Sequence, residues 1–587
     1  MNVSRRIRLL DYMNRSLFDK ISGIKYDPVR YRGLPGKVRY FAIAYSTVIM
    51  LIYVLLTAGI LPLYIRGYES LGNSKSNFWI MNYELCGKLL LAAPIFIFFA
   101  FILGVIAYYD SEEETGSLMG SGYIISGYYT GEGSTIYIWP MLFMLCVALS
   151  FFLSDLKTIA LAGEDGWNCG MQQYMAVGIC FLLIVLLKMK YTFFLIVAML
   201  SSFTVNVIGL VMDIFGNVFG LAGWNENKVS TIGNPNWYCG YIVTVFFLGI
   251  ALYYTRSDKG QVKDRINTVF LALYISVGAY MYVAQGSMSG FVALYAVFLT
   301  LLIISGKKLK KLLRVSEIFV IFSSGLFVCS LVTLLTDYVR ANDDISMIIT
   351  GIPFSTTVLL ASVLWMLSVR IRIKKGRDKA LFPIGRVIGI LTAVSLVLFT
   401  VLIIVNTSAG GRFFGKGILF FGPYWGSNRG MTVSLGVRMF REMTIGEKLF
   451  GTGPDTFYAL LTGGRFLTLA GECNRHFNGA RLTNAHCEPL TLLINIGVFG
   501  TVCFFGMLIT VFVKAMKNAL IPPVYDGDCN AAKEDVSGKG FVLGVSLCIM
   551  AYIVNNLFSF ETVMNLSQLS FILGFGASAM LNGKTEE

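Results

Sequence analysis

Long apolar runs recur along this chain, separated by short polar and basic connections. A bilayer core takes about 20 apolar residues per helix. Scanned with that length, the pattern predicts spans near 40–65, 88–109, 135–154, 172–188, 190–216, 237–254 and 267–284. The series continues near 289–305, 317–336, 348–369, 387–405, 489–513, 540–558 and 562–581. Inside lipid the backbone must bond within its own segment, so each run reads as a helix. The expected fold is an all-α polytopic membrane protein of about 14 transmembrane helices. The runs stop at one place, the 406–486 segment between helices 11 and 12. The chain thus divides into a basic N-terminal segment 1–39, helices 1–11 over 40–405, a loop over 406–488, and helices 12–14 with a short tail over 489–587.

Composition sharpens this picture. The chain is 56% hydrophobic and 14% charged, with a mean hydropathy of +0.68. Soluble proteins carry about 25% charged residues, so a soluble globule is excluded. The net charge of +14 sits between the apolar runs, where it fixes topology; it does not point to nucleic acid. With both termini cytoplasmic, 33 Lys and Arg fall on cytoplasmic segments and six elsewhere outside the loop. The long loop is then extracytoplasmic. One cytoplasmic segment, 110–134, fits poorly because it holds Asp110, Glu112, Glu113 and Glu114 and no Lys or Arg. The first 39 residues hold ten Lys or Arg and no cleavable-signal pattern. The eleven cysteines form no CxxC. Cys473 and Cys487 share one polar segment and can pair if it meets an oxidising space.

The loop is rich in Phe, Trp, Tyr and Leu, so it is expected to fold as a helical cap, with an amphipathic helix over 431–447. It carries nine Lys or Arg against four Asp or Glu, and both histidines of the chain, His476 and His486. Such a cationic excess suits an anionic ligand or anionic headgroups. Histidine is the side chain that ordinarily exchanges protons near neutral pH. His486 lies in TNAHCEPL at the mouth of the 489–513 helix, with Thr483 and Asn484 as candidate caps and Pro489 suited to the first turn. That helix start favours anions and disfavours an imidazolium. Glu488 is placed there to polarise the site, to pair with a cation, or only to begin the helix. Gly451 and Gly453 in GTGPDTF permit a tight turn or close ligand approach. Arg429 in GSNRG, with Arg438, Arg441 and Arg412, is a candidate clamp for phosphate.

In order, GSNRG, LFGTGPDTF and NAHCEPLTLLINIGVFG resemble the C-terminal signature of the O-antigen ligase and O-antigen polymerase superfamily. Ala485, His486, Leu490, Gly497 and Gly500 carry the last part. GNPNWYCGY (Gly233–Tyr241) and GWNCG (Gly166–Gly170) extend the resemblance over about 160–500. Departures are Met288 in QGSMSG, where the family often has arginine, and Cys487, where it has asparagine. The resemblance implies a glycosyltransferase of the bacterial cytoplasmic membrane that needs no metal, nucleotide sugar or cofactor. It would move a glycan from a polyprenyl-diphosphate carrier to a glycan or glycolipid acceptor outside the membrane. Arg429 would bind the diphosphate and His486 would activate the acceptor, with Arg438, Arg441, Arg412, Gly451, Gly453 and Glu488 assisting. The competing expectation is a multi-helix transporter or flippase of lipid-linked polysaccharide.

Overall fold

The computed structural model describes residues 47–63, 134–164, 167–216, 218–219, 230–232, 234–256, 262–336, 348–521 and 529–582. Those residues are helical throughout, apart from turns and one isolated bridge. Among them, eleven helices are long and apolar enough to cross a membrane, and two shorter apolar helices, Thr47–Leu63 and Met171–Leu186, stand where spans were expected. The chain is a polytopic, all-α membrane protein. The expected span at 88–109, the acidic segment through Gly133 and the basic segment 1–39 lie outside the described residues.

Burial grades the bundle. Pro235–Thr255 and Val563–Leu581 are 89% and 94% buried by protein, whereas Ile352–Lys374 is 17% buried and Ile384–Ser408 0%. The inner helices carry small residues where neighbours come close. A Cβ on Gly240 would meet Asn565 at 2.1 Å, and one on Gly249 would meet the Tyr274 ring at 2.4 Å. In lipid, close packing replaces the hydrophobic drive between helices. The outer two helices expose leucine, valine and isoleucine instead.

Alternating passes define two faces. Helices beginning at Pro235, Met288, Ile352, Glu488 and Val563 start on the face that carries 409–487. Helices beginning at Val262, Leu309 and Ile384 start on the opposite face. The loop is ordered, as its composition predicts. Its helices Trp425–Glu442, Ile445–Phe450, Phe457–Thr462 and Leu467–Phe477 enclose a small core of Leu435, Met439, Phe457, Leu461 and Ala485. Asn406 ties its start: the amide accepts from Phe413 N and Phe414 N and donates to the carbonyls of Gly415 and Leu419.

Two local expectations are corrected. The helix expected over 431–447 ends at Glu442, because Thr444 and Glu447 form a capping box that starts a new helix at Ile445. The helix expected over 489–513 is broken: Glu488–Asn495 is followed by Gly497–Leu520, with Gly497 at φ +70°. The GTGPDTF turn fills that break. Thr452 N donates to Ile494 O at 3.0 Å and Gly453 N to Asn495 O at 2.9 Å.

Candidate functional site

The arginine of GSNRG is aimed by an unusual backbone. Gly426, Ser427 and Asn428 are three successive left-handed residues, at φ +58°, +57° and +70°. For the two with side chains this costs roughly 1–2 kcal/mol each, so surrounding contacts must hold the turn. Gly430 backs onto Gly422, whose carbonyl would lie 1.9 Å from an added Cβ. His476 Nε2 is 3.0 Å from Asn428 Oδ1. The half-buried Arg429 side chain follows directly. Its Nε donates to Phe558 O at 2.6 Å and its Nη1 to Gly426 O at 3.0 Å. No described carboxylate pairs with it. Burial lowers its pKa, against the pull of nearby Cys239, yet a guanidinium stays charged in a protein.

His486 stands in the field of that charge. It too is left-handed, at φ +50°. The side chain of Asn484 closes the turn by accepting from His486 N at 3.0 Å. Asn484 and Thr483 therefore do not cap the helix; its N-cap is Cys487, with no side-chain bond. The imidazole packs edge-on against Phe560, with centroids 5.0 Å apart, and its buried Nδ1 has no hydrogen-bond partner among the described residues. Burial first, then the Arg429 charge, hold its pKa down at about 4. The ring is thus neutral and able to accept a proton, and desolvation leads the causes rather than the helix start invoked from sequence.

Four further segments frame the pair. Trp167 packs edge-on against both Trp237 (5.5 Å) and Phe560 (5.1 Å). Asn234 caps the Pro235 helix, accepting from Asn236 N at 2.9 Å. Ser287 donates to Asn236 Oδ1 at 3.1 Å, which brings the Met288 helix start alongside. Asp455, left-handed at φ +57°, accepts from Glu164 N at 2.9 Å and Cys169 N at 3.1 Å. The GTGPDTF turn therefore clamps the Glu164–Gly170 connection, and Arg481 pairs with Glu164 beside it. The Pro235 start is already capped by Asn234, so the charge offered to an anion here is that of Arg429.

Beneath lies a buried carboxyl pair. Glu488 Oε2 accepts from Glu561 N at 2.9 Å, and Glu561 accepts from Thr562 N and Tyr552 OH. Burial raises both, Glu488 to about 7 and Glu561 to about 8, the latter further raised by Glu488. Burial likewise lifts Asp455 to about 7. Among the described residues Glu488 is thus held by the backbone N–H of Glu561, not by a cation.

The remaining expected residues lie apart from this centre. Arg438 is nine residues along its helix from Arg429, about 13 Å by helical rise, and pairs with Glu472 at 2.5 Å. Arg441 and Arg412 are exposed. Gly451 and Gly453 are buried against the bundle: a Cβ would meet Asn495 O at 2.3 Å and Ser154 Oγ at 2.5 Å respectively. Their absent side chains permit protein to approach protein, so the geometry makes them seam residues rather than a ligand cradle. Cys473 and Cys487 are free thiols. His476, Asp455 and Trp167 lie in segments the sequence singled out, but the contacts they make here were not expected, and the 558–561 turn was missed altogether. Only Glu561 offered a signal, as an acid between the last two apolar runs. Comparison with known proteins finds no matching family model and no matching curated relative.

Proposed function

We propose that the chain is a membrane glycosyltransferase that moves a glycan from a polyprenyl-diphosphate carrier to an acceptor sugar, as a polysaccharide polymerase or ligase. The observation that carries the reading is a half-buried Arg429, with no acid partner among the described residues, whose charge acts on a neutral, half-buried His486 on the same face of the bundle. A fixed cation suits a diphosphate whose charge grows as it leaves. A neutral imidazole suits an acceptor hydroxyl that must lose a proton. In this reading the acceptor oxygen bonds to the anomeric carbon while the bond from that carbon to the diphosphate oxygen breaks. His486 takes the hydroxyl proton, and the leaving diphosphate keeps the electron pair on Arg429. The loop face would be extracytoplasmic and the lysine-rich opposite face cytoplasmic, in a bacterial inner membrane. The strained Ser427, Asn428 and His486 support a site, since strain persists where surroundings over-determine it.

The transporter reading has one observation in its favour: Asp213 is a buried acid inside the Tyr191–Phe215 span, and such residues commonly mark translocation paths. A single assay separates the two. The purified protein in nanodiscs is given a polyprenyl-diphosphate glycan and an acceptor. His486→Ala is expected to slow transfer by about 10²–10⁴-fold. Full transfer by both His486→Ala and Arg429→Ala would sink the assignment.

A further inference from the structure

On the face opposite the candidate site, two short connections bring like charges together. Lys307, Lys308, Lys310 and Lys311 follow the Met288–Ser305 helix, and Lys374, Lys375, Arg377 and Lys379 end the Ile352–Lys374 helix and the turn after it. The backbone pins these segments side by side. Lys308 and Lys379 form an antiparallel bridge, Leu309 N donates to Asp378 O at 3.0 Å, and Ala380 N to Lys307 O at 2.8 Å. Asp378 is the one acid within 307–311 and 374–379. One turn inward, Glu317 already serves Arg256, Arg314 and Arg370, so it has no free capacity for the lysines. Like charges held this close repel until an anion lies among them.

What surrounds the patch identifies the anion. The cations sit at the ends of helices Met288–Ser305, Leu309–Leu335, Ile352–Lys374 and Ile384–Ser408, which places them at the membrane boundary. The same turn exposes Leu381 (70%) and Phe382 (53%). Two large apolar side chains beside a cationic rim suit insertion below headgroups, with lysines reaching up to them. Leu381 and Phe382 stand at the same boundary as the cations, which puts lipid headgroups within the lysines' reach.

From this juxtaposition we infer that the Lys307–Lys311 and Lys374–Lys379 segments form a binding site for anionic phospholipid headgroups of the leaflet facing them. The site is independent of the transferase reading. Each cation near an anionic surface strengthens binding roughly fivefold, so neutralising four removes most of the selectivity.

The test uses the full-length protein in detergent micelles. Native mass spectrometry measures retention of phosphatidylglycerol against phosphatidylcholine, and thermal unfolding is followed with each lipid and with inorganic phosphate or diphosphate alone. The wild type should retain phosphatidylglycerol at least tenfold better and gain thermal stability from it, an advantage that shrinks with added salt. K308Q/K311Q/K374Q/K379Q should lose the preference while unfolding at the wild-type temperature in phosphatidylcholine. Leu381→Ser/Phe382→Ser should weaken retention with the charges intact. Equal retention of the two lipids by the wild type, or an undiminished preference in the four-lysine variant, would overturn the inference. So would equal stabilisation by inorganic phosphate, which would assign the patch to a soluble anion. If the four-lysine variant misfolds, the salt dependence and the Leu381/Phe382 variant decide on their own.

Discussion

On the opposite face one carboxylate, Glu317, accepts from three guanidiniums at 2.7, 3.1 and 3.1 Å. On the loop face Arg429 has no described acid partner, while Glu488 accepts from the backbone N–H of Glu561 and the Glu561 carboxyl accepts from Thr562 N and Tyr552 OH, with no described cation on either. Both regions bury charge, and elementary electrostatics favours pairing buried charges. Around the 558–561 turn Arg429 and the two acids forgo that neutralisation, although all three bond to it or lie in it. Charges kept apart in this way remain available to a ligand or a proton. On the proposed reading, the difference separates a region that holds helices together from one that receives a substrate.

The comparison can be broken from either side. Glu317→Ala strips three arginines of their acid. Losing one member of a buried ion pair costs about 3–5 kcal/mol, which thermal unfolding should reveal as the largest loss in the protein; an unchanged transition would mean the cluster is already neutralised by solvent. Arg429→Ala leaves the bundle intact and should cost about 10²–10³-fold in transfer rate, read in the nanodisc assay against a wild-type unfolding curve.

The carboxyl pair sharpens the contrast through pH. Burial raises Glu561 from 4.5 to about 8. Between those values the folded protein holds more protons than the unfolded chain, so its stability is full in acid and falls as pH rises toward 8. Glu561→Gln should flatten that slope, which unfolding curves from pH 5 to 8 would show; an unaltered slope would place the titration elsewhere. His486 runs the other way. With its pKa held at about 4, transfer should show no acidic limb near pH 6.5, and a limb there would contradict the neutral, desolvated ring. The smallest effect is expected at Arg438→Ala. Its partly exposed pair with Glu472 contributes under about 1 kcal/mol, and transfer should stay within about twofold.

The apolar runs made the helices legible, because a single length governs a spanning helix wherever it occurs. His486 stood out because histidine is scarce, and Arg429 because its GSNRG setting lies in the one polar segment long enough to fold. Their support did not. Asp455 acts through backbone N–H groups some 290 residues away in sequence, and no local pattern reports such a pairing. Phe558 contributes only a carbonyl to Arg429, which any residue could supply. Gly451 and Gly453 show the converse limit: a glycine-rich turn looks the same whether ligand or protein occupies the space beside it.

The helix Ile384–Ser408 leads straight into the loop and packs along one side on the Met288–Ser305 helix, its other faces open to lipid. At 25 residues it is about 37 Å long, against a hydrocarbon thickness of about 30 Å. With a neighbour on one side alone, its tilt answers to the bilayer as well as to packing. The Asn406 knot that begins the loop therefore rides on a lever whose angle lipid thickness helps to set, and a thicker membrane stands that lever more upright.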